Sequence, residues 1–286
     1  MIDVIQALLE YQFLQHALLA AILASVTCGI VGVIVVEKKL IMMSGGIAHT
    51  AYGGVGLGYL LGFEPIIGAF FFAILAALGI GRIRRKGHAR TETVISLFWS
   101  LGMALGVLFI ALMPGYPPAL TSYLFGSILA VTRADLILMV CLTVLVLLQV
   151  IAFYHHWKTF LFDEQFAAIL GMRTVWLENW LLILIAMTVV TLIRIVGIIL
   201  LLAMLAAPAA IAAMVRASLG KRMLIAILIG LLISLSGLWL SYTLNLASGA
   251  VIAILSALSF FSAGFLRSQM HRMIKQKVAR PDQPIP

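Results

Sequence analysis

From Phe13 to Val36 the chain runs 24 residues without a single Asp, Glu, Lys or Arg. About 20 apolar residues suffice for a helix to cross the hydrocarbon core of a bilayer. Runs of this kind recur at 13–36, 40–62, 65–81, 93–113, 134–156, 175–195, 197–215, 223–243 and 249–266. The chain therefore reads as an all-α polytopic membrane protein with about nine transmembrane helices. Eight to ten are admitted, because glycines interrupt the second run and little more than Gly197 separates the sixth from the seventh. Residues 1–266 form a single transmembrane unit, and 267–286 a basic, Pro-rich tail. Composition closes off the other classes. Hydrophobic residues make up 64% and charged residues 10%, against about 25% charged in soluble domains. A soluble enzyme, a disordered chain and a disulfide scaffold are all excluded on this ground. The two cysteines, Cys28 and Cys141, sit inside apolar runs and build no framework or cage. Met1 to Tyr11 carries Asp3 and Glu10 but no base, unlike a cleaved signal peptide.

The net charge of +9 acquires meaning from its placement. With the N-terminus outside, seventeen of the nineteen Lys and Arg fall on cytoplasmic segments: 37–40, 82–90, 157–174, 216–222 and the tail. Arg133 and Arg194 are the two elsewhere. Basic cytoplasmic loops orient a membrane protein, so the expectation is N-terminus outside and C-terminus cytoplasmic. The basic balance then reports topology and needs no nucleic acid. No loop has room for an ATP-binding module, and no Gly-rich Lys/Ser phosphate cradle is present. An ATP-driven process would need its motor on another chain.

Four segments stand out against the apolar background. In Ser44–Tyr59 six glycines accompany His49 inside a span, and Gly45 and Gly53 flank it one turn either side. An ionisable side chain at membrane depth usually faces a cavity or a partner, and imidazole suits borderline metals. His49 is therefore either a metal-path residue or a histidine hydrogen-bonded to a neighbouring helix. Thr121–Val131, with Tyr123, Phe125 and Gly126, follows the turn cluster at 114–118 and is too short to span. It reads as a re-entrant helix lining a cavity, or as an amphipathic cap. In Phe162–Gly171, Asp163 can cap a short helix and Gly171 end it, leaving Phe162, Phe166 and Leu170 as an apolar stripe. This helix docks either on a cytoplasmic partner or in the lipid interface. Finally, Pro208 permits a kink within the run after Gly197, while Arg194 near an outer end can snorkel.

The collinear order of these segments resembles the membrane permeases of metal-ion ABC importers, the zinc, manganese and iron uptake group. The resemblance is carried by Glu37-Lys38-Lys39 with Met43-Ser44 and Ile47-Ala48-His49, by Arg90-Thr91-Glu92-Thr93-Val94-Ile95, and by Tyr123-Leu124-Phe125-Gly126 with Leu129-Ala130-Val131. Phe162-Asp163 with Ala167 and Gly171, Val196-Gly197 through Pro208-Ala209-Ala210, and Ser248-Gly249 complete it. It implies a fold similar to the cobalamin and siderophore importers, in a bacterial or archaeal cell membrane. It implies a pore formed with a second copy, and two cytoplasmic ATPase subunits that bind the ATP and dock on a coupling helix of Asp163, Glu164, Phe166 and Gly171. An extracytoplasmic binding protein would deliver a divalent metal to a path at His49. Gly45, Gly46, Gly53, Gly54 and Pro208 would belong to the pore and gating helices. The permease itself would carry no catalytic site and no bound cofactor. One departure stands out: the family often has Asp one turn before the histidine, where this chain has Gly45, and a proline where it has Gly53. A permease for a metal chelate such as a siderophore or corrinoid is the alternative. An ion-coupled carrier is disfavoured because the acids cluster near span ends.

Overall fold

The computed structural model describes residues 10–87, 90–114, 126 and 128–279. Its helices in chain order are α1 (Gln12–Glu37), α2 (Ile41–Leu61), α3 (Pro65–Lys86), α4 (Thr91–Ala111), α5 (Arg133–Ala152), α6 (Tyr154–Phe162), α7 (Glu164–Ile169), α8 (Thr174–Ala213), α9 (Leu219–Leu244) and α10 (Ser248–Ala279). A single 3-10 turn, Ile128–Ala130, precedes α5. No strand occurs among the described residues.

Among the described residues, seven helices are long and apolar enough to cross a membrane: α1, α3, α4, α5, α8, α9 and the first part of α10. Length and hydropathy thus give seven where nine runs were expected, for two physical reasons. In α2 the glycines, Ser44, His49 and Thr50 dilute the apolar content, although most of the helix is buried. The second reason is α8. At 1.5 Å per residue its 40 residues would extend about 60 Å, twice the hydrocarbon thickness. It is two helices meeting at Gly197, whose φ of 78° and ψ of 168° belong to a region essentially reserved for glycine. The chain doubles back there. Glu178 and Leu182, early in α8, lie against Arg85 and Gly81 near the end of α3, whereas Arg194 reaches Glu64 at its start. Beyond Gly197, Met204 meets Ser234 and Leu205 meets Gly32, on the way back toward Glu37 and Arg222.

Local sequence explains the other ends. Pro65 opens α3 at a position where its missing N–H costs nothing, and Gly87 closes it in the left-handed conformation, φ 66°. Thr132 and Asp135 form a reciprocal capping box at the start of α5. α1 and α8 are the most enclosed of these helices, α1 packed by α5, α8 and α9. α2 is wedged between α3 and α4. The outer helices α4 and α5 turn Leu97, Leu101, Leu108, Ile137, Leu148 and Ile151 outward, as a lipid-facing belt requires. The basic stretch expected to be a tail begins at Arg267 inside α10, which stays helical to Ala279; residues 280–286 lie outside the described part.

Candidate translocation site

His49 sits near the middle of α2, half-buried. Its ring lies flat on Trp99 of α4, centroids 3.9 Å apart and planes 10° from parallel. Its Nδ1 is buried without a hydrogen-bond partner. The contact that His49 makes with a neighbouring helix is this ring stacking, and at Nδ1 no hydrogen bond accompanies it. Trp99 was not singled out from sequence. The available signal was a lone tryptophan in the span that follows the Arg90–Ile95 element.

The glycines around His49 do different things. A Cβ on Gly46 would fall 2.7 Å from the Ile95 Cγ2, on Gly53 2.9 Å from the Gly102 carbonyl oxygen, and on Gly54 1.9 Å from the Gly68 carbonyl oxygen. Gly53 and Gly54 bring α2 into backbone contact with α4 and α3, and Gly46 makes way for the Ile95 side chain of α4, the close approach that small residues allow in membranes. Gly45 differs. A Cβ there would meet only Leu202 and Trp99 at 3.8–3.9 Å, ordinary van der Waals distance. The space beside His49 is therefore framed by α4 and by the returning half of α8. Pro208, in that returning half, is buried, and the backbone stays helical through it; the one non-helical residue of α8 is Gly197. Among the described residues no three of His, Cys, Asp and Glu come together to hold a metal ion.

Charged groups sort to the two ends of the bundle. At one end Arg194 joins Glu64 and Asp135, both at 2.7 Å, tying the apex of α8 to the α2–α3 connection and to α5. Arg194 thus has two carboxylate partners, where sequence suggested only a snorkelling side chain. Gly126 packs against Gly197 at the same end: a Cβ on it would fall 2.3 Å from the Gly197 nitrogen. Tyr123 and Phe125 lie outside the described residues. At the other end Arg222 pairs with Glu37, Arg84 and Arg85 clamp Glu178, and Lys38 pairs with Glu164 at 2.9 Å.

That second end carries the short helix. Asp163 accepts a hydrogen bond from the Phe166 N–H at 2.8 Å, starting α7, and Gly171 at φ 76° ends the turn that follows. Phe162, Phe166, Ile169 and Leu170 are all exposed. A shallow groove of about 350 Å³, lined by His155, Lys158, Thr159, Phe162, Asp163 and Phe166, runs along α6 and α7. Lys38 lies over the Phe160 ring, 3.7 Å from its centre, so α6, α7 and the α1–α2 connection form one unit.

A polytopic helical bundle with a histidine in a buried central helix, its Nδ1 unpartnered, and an exposed amphipathic turn at one end has the parts of a membrane permease. The model of the ABC 3 transport family matches residues 10–267, and the chain belongs to that family. An uncharacterised membrane protein of Synechocystis is 39% identical over 91% of this chain and 92% of its own length. The manganese transport system membrane protein MntC of Listeria monocytogenes is 32% identical over 91% of this chain and 92% of its own. Among solved structures, PsaBC from Streptococcus pneumoniae, in complex with a Fab, superimposes with a TM-score of 0.83 at 32% identity, covering 92% of this chain and 95% of that one.

Proposed function

We propose that the protein is the membrane-spanning permease of an ATP-driven importer of divalent transition-metal ions. The observation that carries this reading is its chain-long likeness to a manganese transport system membrane protein. The permease is not itself the catalyst; ATP is hydrolysed by partner subunits. It works as two copies, with two ATPases below and a metal-delivering binding protein above. The end bearing α7 faces the cytoplasm, in keeping with its excess of Lys and Arg, and counting α2 and both halves of α8 as crossings gives nine. His49 lines the metal path, with coordination weak enough to let the ion leave.

Closure of the ATPases presses on Asp163–Gly171. The push reaches α2 by a short route, because Glu164 holds Lys38 and Lys39, in a left-handed conformation with φ 57°, joins α1 to α2 in a tight turn. Glu164 is half exposed, so the pair contributes at most about 1 kcal/mol to stability; its role is to transmit position.

Reconstituted with its cognate ATPase and binding protein, the permease is expected to carry divalent metal into proteoliposomes only when ATP is supplied. Uptake that proceeds without ATP, or uptake of a metal chelate but not of the free ion, refutes the reading. In the same assay Lys38→Glu and Glu164→Lys should each lower metal carried per ATP several-fold, while the double exchange recovers most of the loss. Single variants that transport like the wild type would remove this link from the coupling route.

A further inference from the structure

The donors around His49 indicate which metal passes. Every carboxylate among the described residues stands at or near a helix end: Glu10, Glu37, Glu64, Glu92, Asp135, Asp163, Glu164 and Glu178. Five of them are held in ion pairs. Glu92, on the helix that carries Trp99, lies seven residues before it, about 10 Å along the axis. Glu37 and Glu64 are further from His49 along the chain that joins them. The nearby hydroxyls are neutral, weaker ligands than imidazole and are turned toward backbone carbonyls: Ser44 donates to the Ile41 carbonyl, and Thr50 to the carbonyls of Gly46 and Phe98. The space one turn below His49 is bare at Gly45 and walled by Leu202 and Trp99. Among the described residues, the strongest ligand this place offers a cation is the imidazole, whose buried Nδ1 has no partner.

Ligand type separates the candidate cargoes. Imidazole suits zinc and the later first-row divalent ions, whereas manganese(II) prefers carboxylate, carbonyl and water, and stands lowest in the affinity order for a given site. We infer that this permease passes an imidazole-preferring, borderline divalent cation, with zinc(II) as its representative, and discriminates against manganese(II). The inference rests on the importer reading above and on His49 lining its path.

The test holds the ATPase and binding protein fixed and varies only the permease, so a change in metal preference arises in this chain. Uptake of zinc(II) and manganese(II) into proteoliposomes is measured for the wild type, His49→Ala, Gly45→Asp and Gly45→Asn. The wild type should favour zinc, and His49→Ala should lose most zinc uptake. Gly45→Asp places a carboxylate one turn from the imidazole, at a position where a Cβ makes only ordinary contacts, and should raise the manganese-to-zinc uptake ratio about tenfold, the scale on which changes around a metal ligand act. Gly45→Asn, equal in bulk but uncharged, should leave the ratio near the wild-type value and so separates charge from crowding. Wild-type uptake of manganese as efficient as zinc, zinc uptake unaffected by His49→Ala, or a ratio unmoved by Gly45→Asp overturns the inference while ATP-driven metal import stands. Absence of ATP-driven uptake of either ion overturns both.

Discussion

Gly54→Ala is expected to cost this protein more stability than any other single methyl group added to α2. The new Cβ would lie 1.9 Å from the carbonyl oxygen of Gly68, 2.3 Å from its carbonyl carbon and 2.8 Å from the Ala69 nitrogen. All three are backbone atoms, so no side chain can swing aside. The contact is mutual, since a Cβ on Gly68 would fall 2.1 Å from the Gly54 oxygen. Non-bonded heavy atoms settle about 3.5–4.0 Å apart, so α2 and α3 would have to part by an ångström or more. The seam cannot pivot freely, because a Cβ on Gly58, one turn on, would meet Pro65 at 2.6 Å, and on its other side a Cβ on Gly56 would meet the Gly106 oxygen at 2.6 Å. Overpacking ordinarily costs about 1–3 kcal/mol; rigid backbone on both sides puts this case at about 3 kcal/mol or beyond. Thermal unfolding of the detergent-solubilised protein should show a large fall in midpoint. Gly45→Ala is the matched comparison. Its Cβ has ordinary contact distances, and replacing a helix-interior glycine gains about 1 kcal/mol in propensity, so that variant should be as stable as the wild type or more so. Equal stability of the Gly45 and Gly54 variants would show that α2 does not approach α3 as described.

The contrast between these two glycines marks where sequence reasoning reached its limit. That α2 is a glycine-rich intramembrane segment around a histidine is legible from residues 44–59 alone. Which glycine opens space and which closes it depends on the neighbouring helix, and nothing local distinguishes Gly45 from Gly46. The α7 segment was easier to read, because a cap, a stripe and a terminating glycine are short-range features: Asp163, Phe166 and Gly171 are placed by the chain within ten residues of one another. The reversal in α8 was half visible. Gly197 was marked as a thin separator, but a hydropathy profile through residues 174–213 shows little of a turn made by one residue's dihedral angles. Least legible were the long-range pairs. His49 and Trp99 are fifty residues apart, and Arg194 meets Glu64 and Asp135 across three helices. Charge counting put those polar groups near span ends without pairing them.

Glu178 is the sharpest case of that kind, and its removal should produce the second large effect. It stands early in α8 with its side chain 5% exposed, gripped by Arg84 and, at 2.7 Å, by Arg85 from the last turn of α3. The two guanidinium groups retain 29% and 27% exposure. An ion buried this far is tolerated only when its lone pairs are satisfied, and two arginine forks satisfy them. Glu178→Ala strands two like charges side by side. Losing one member of a buried pair typically costs about 3–5 kcal/mol; the arginines' partial contact with solvent moderates this to about 2–4. Glu178→Gln keeps the shape and some hydrogen bonds, and should fall in between. Arg84→Ala leaves Glu178 paired with Arg85 and should cost least of the three. The order Ala, Gln, Arg84→Ala in unfolding midpoint is the measurement; a Glu178→Ala protein as stable as Arg84→Ala would mean that the carboxylate is not shared as described. The consequence should extend beyond stability. One turn from Glu178, Leu182 packs against Gly81 so tightly that a Cβ there would fall 2.4 Å from it, so the clamp and this contact together fix α3 to α8. Both lie at the end that carries α7, and α8 goes on to turn at Gly197 and place Leu202 beside His49. A loosened clamp should therefore lower ATP-coupled uptake more than it lowers assembly with the ATPase, because the helix that frames the metal path would no longer be anchored where the push arrives.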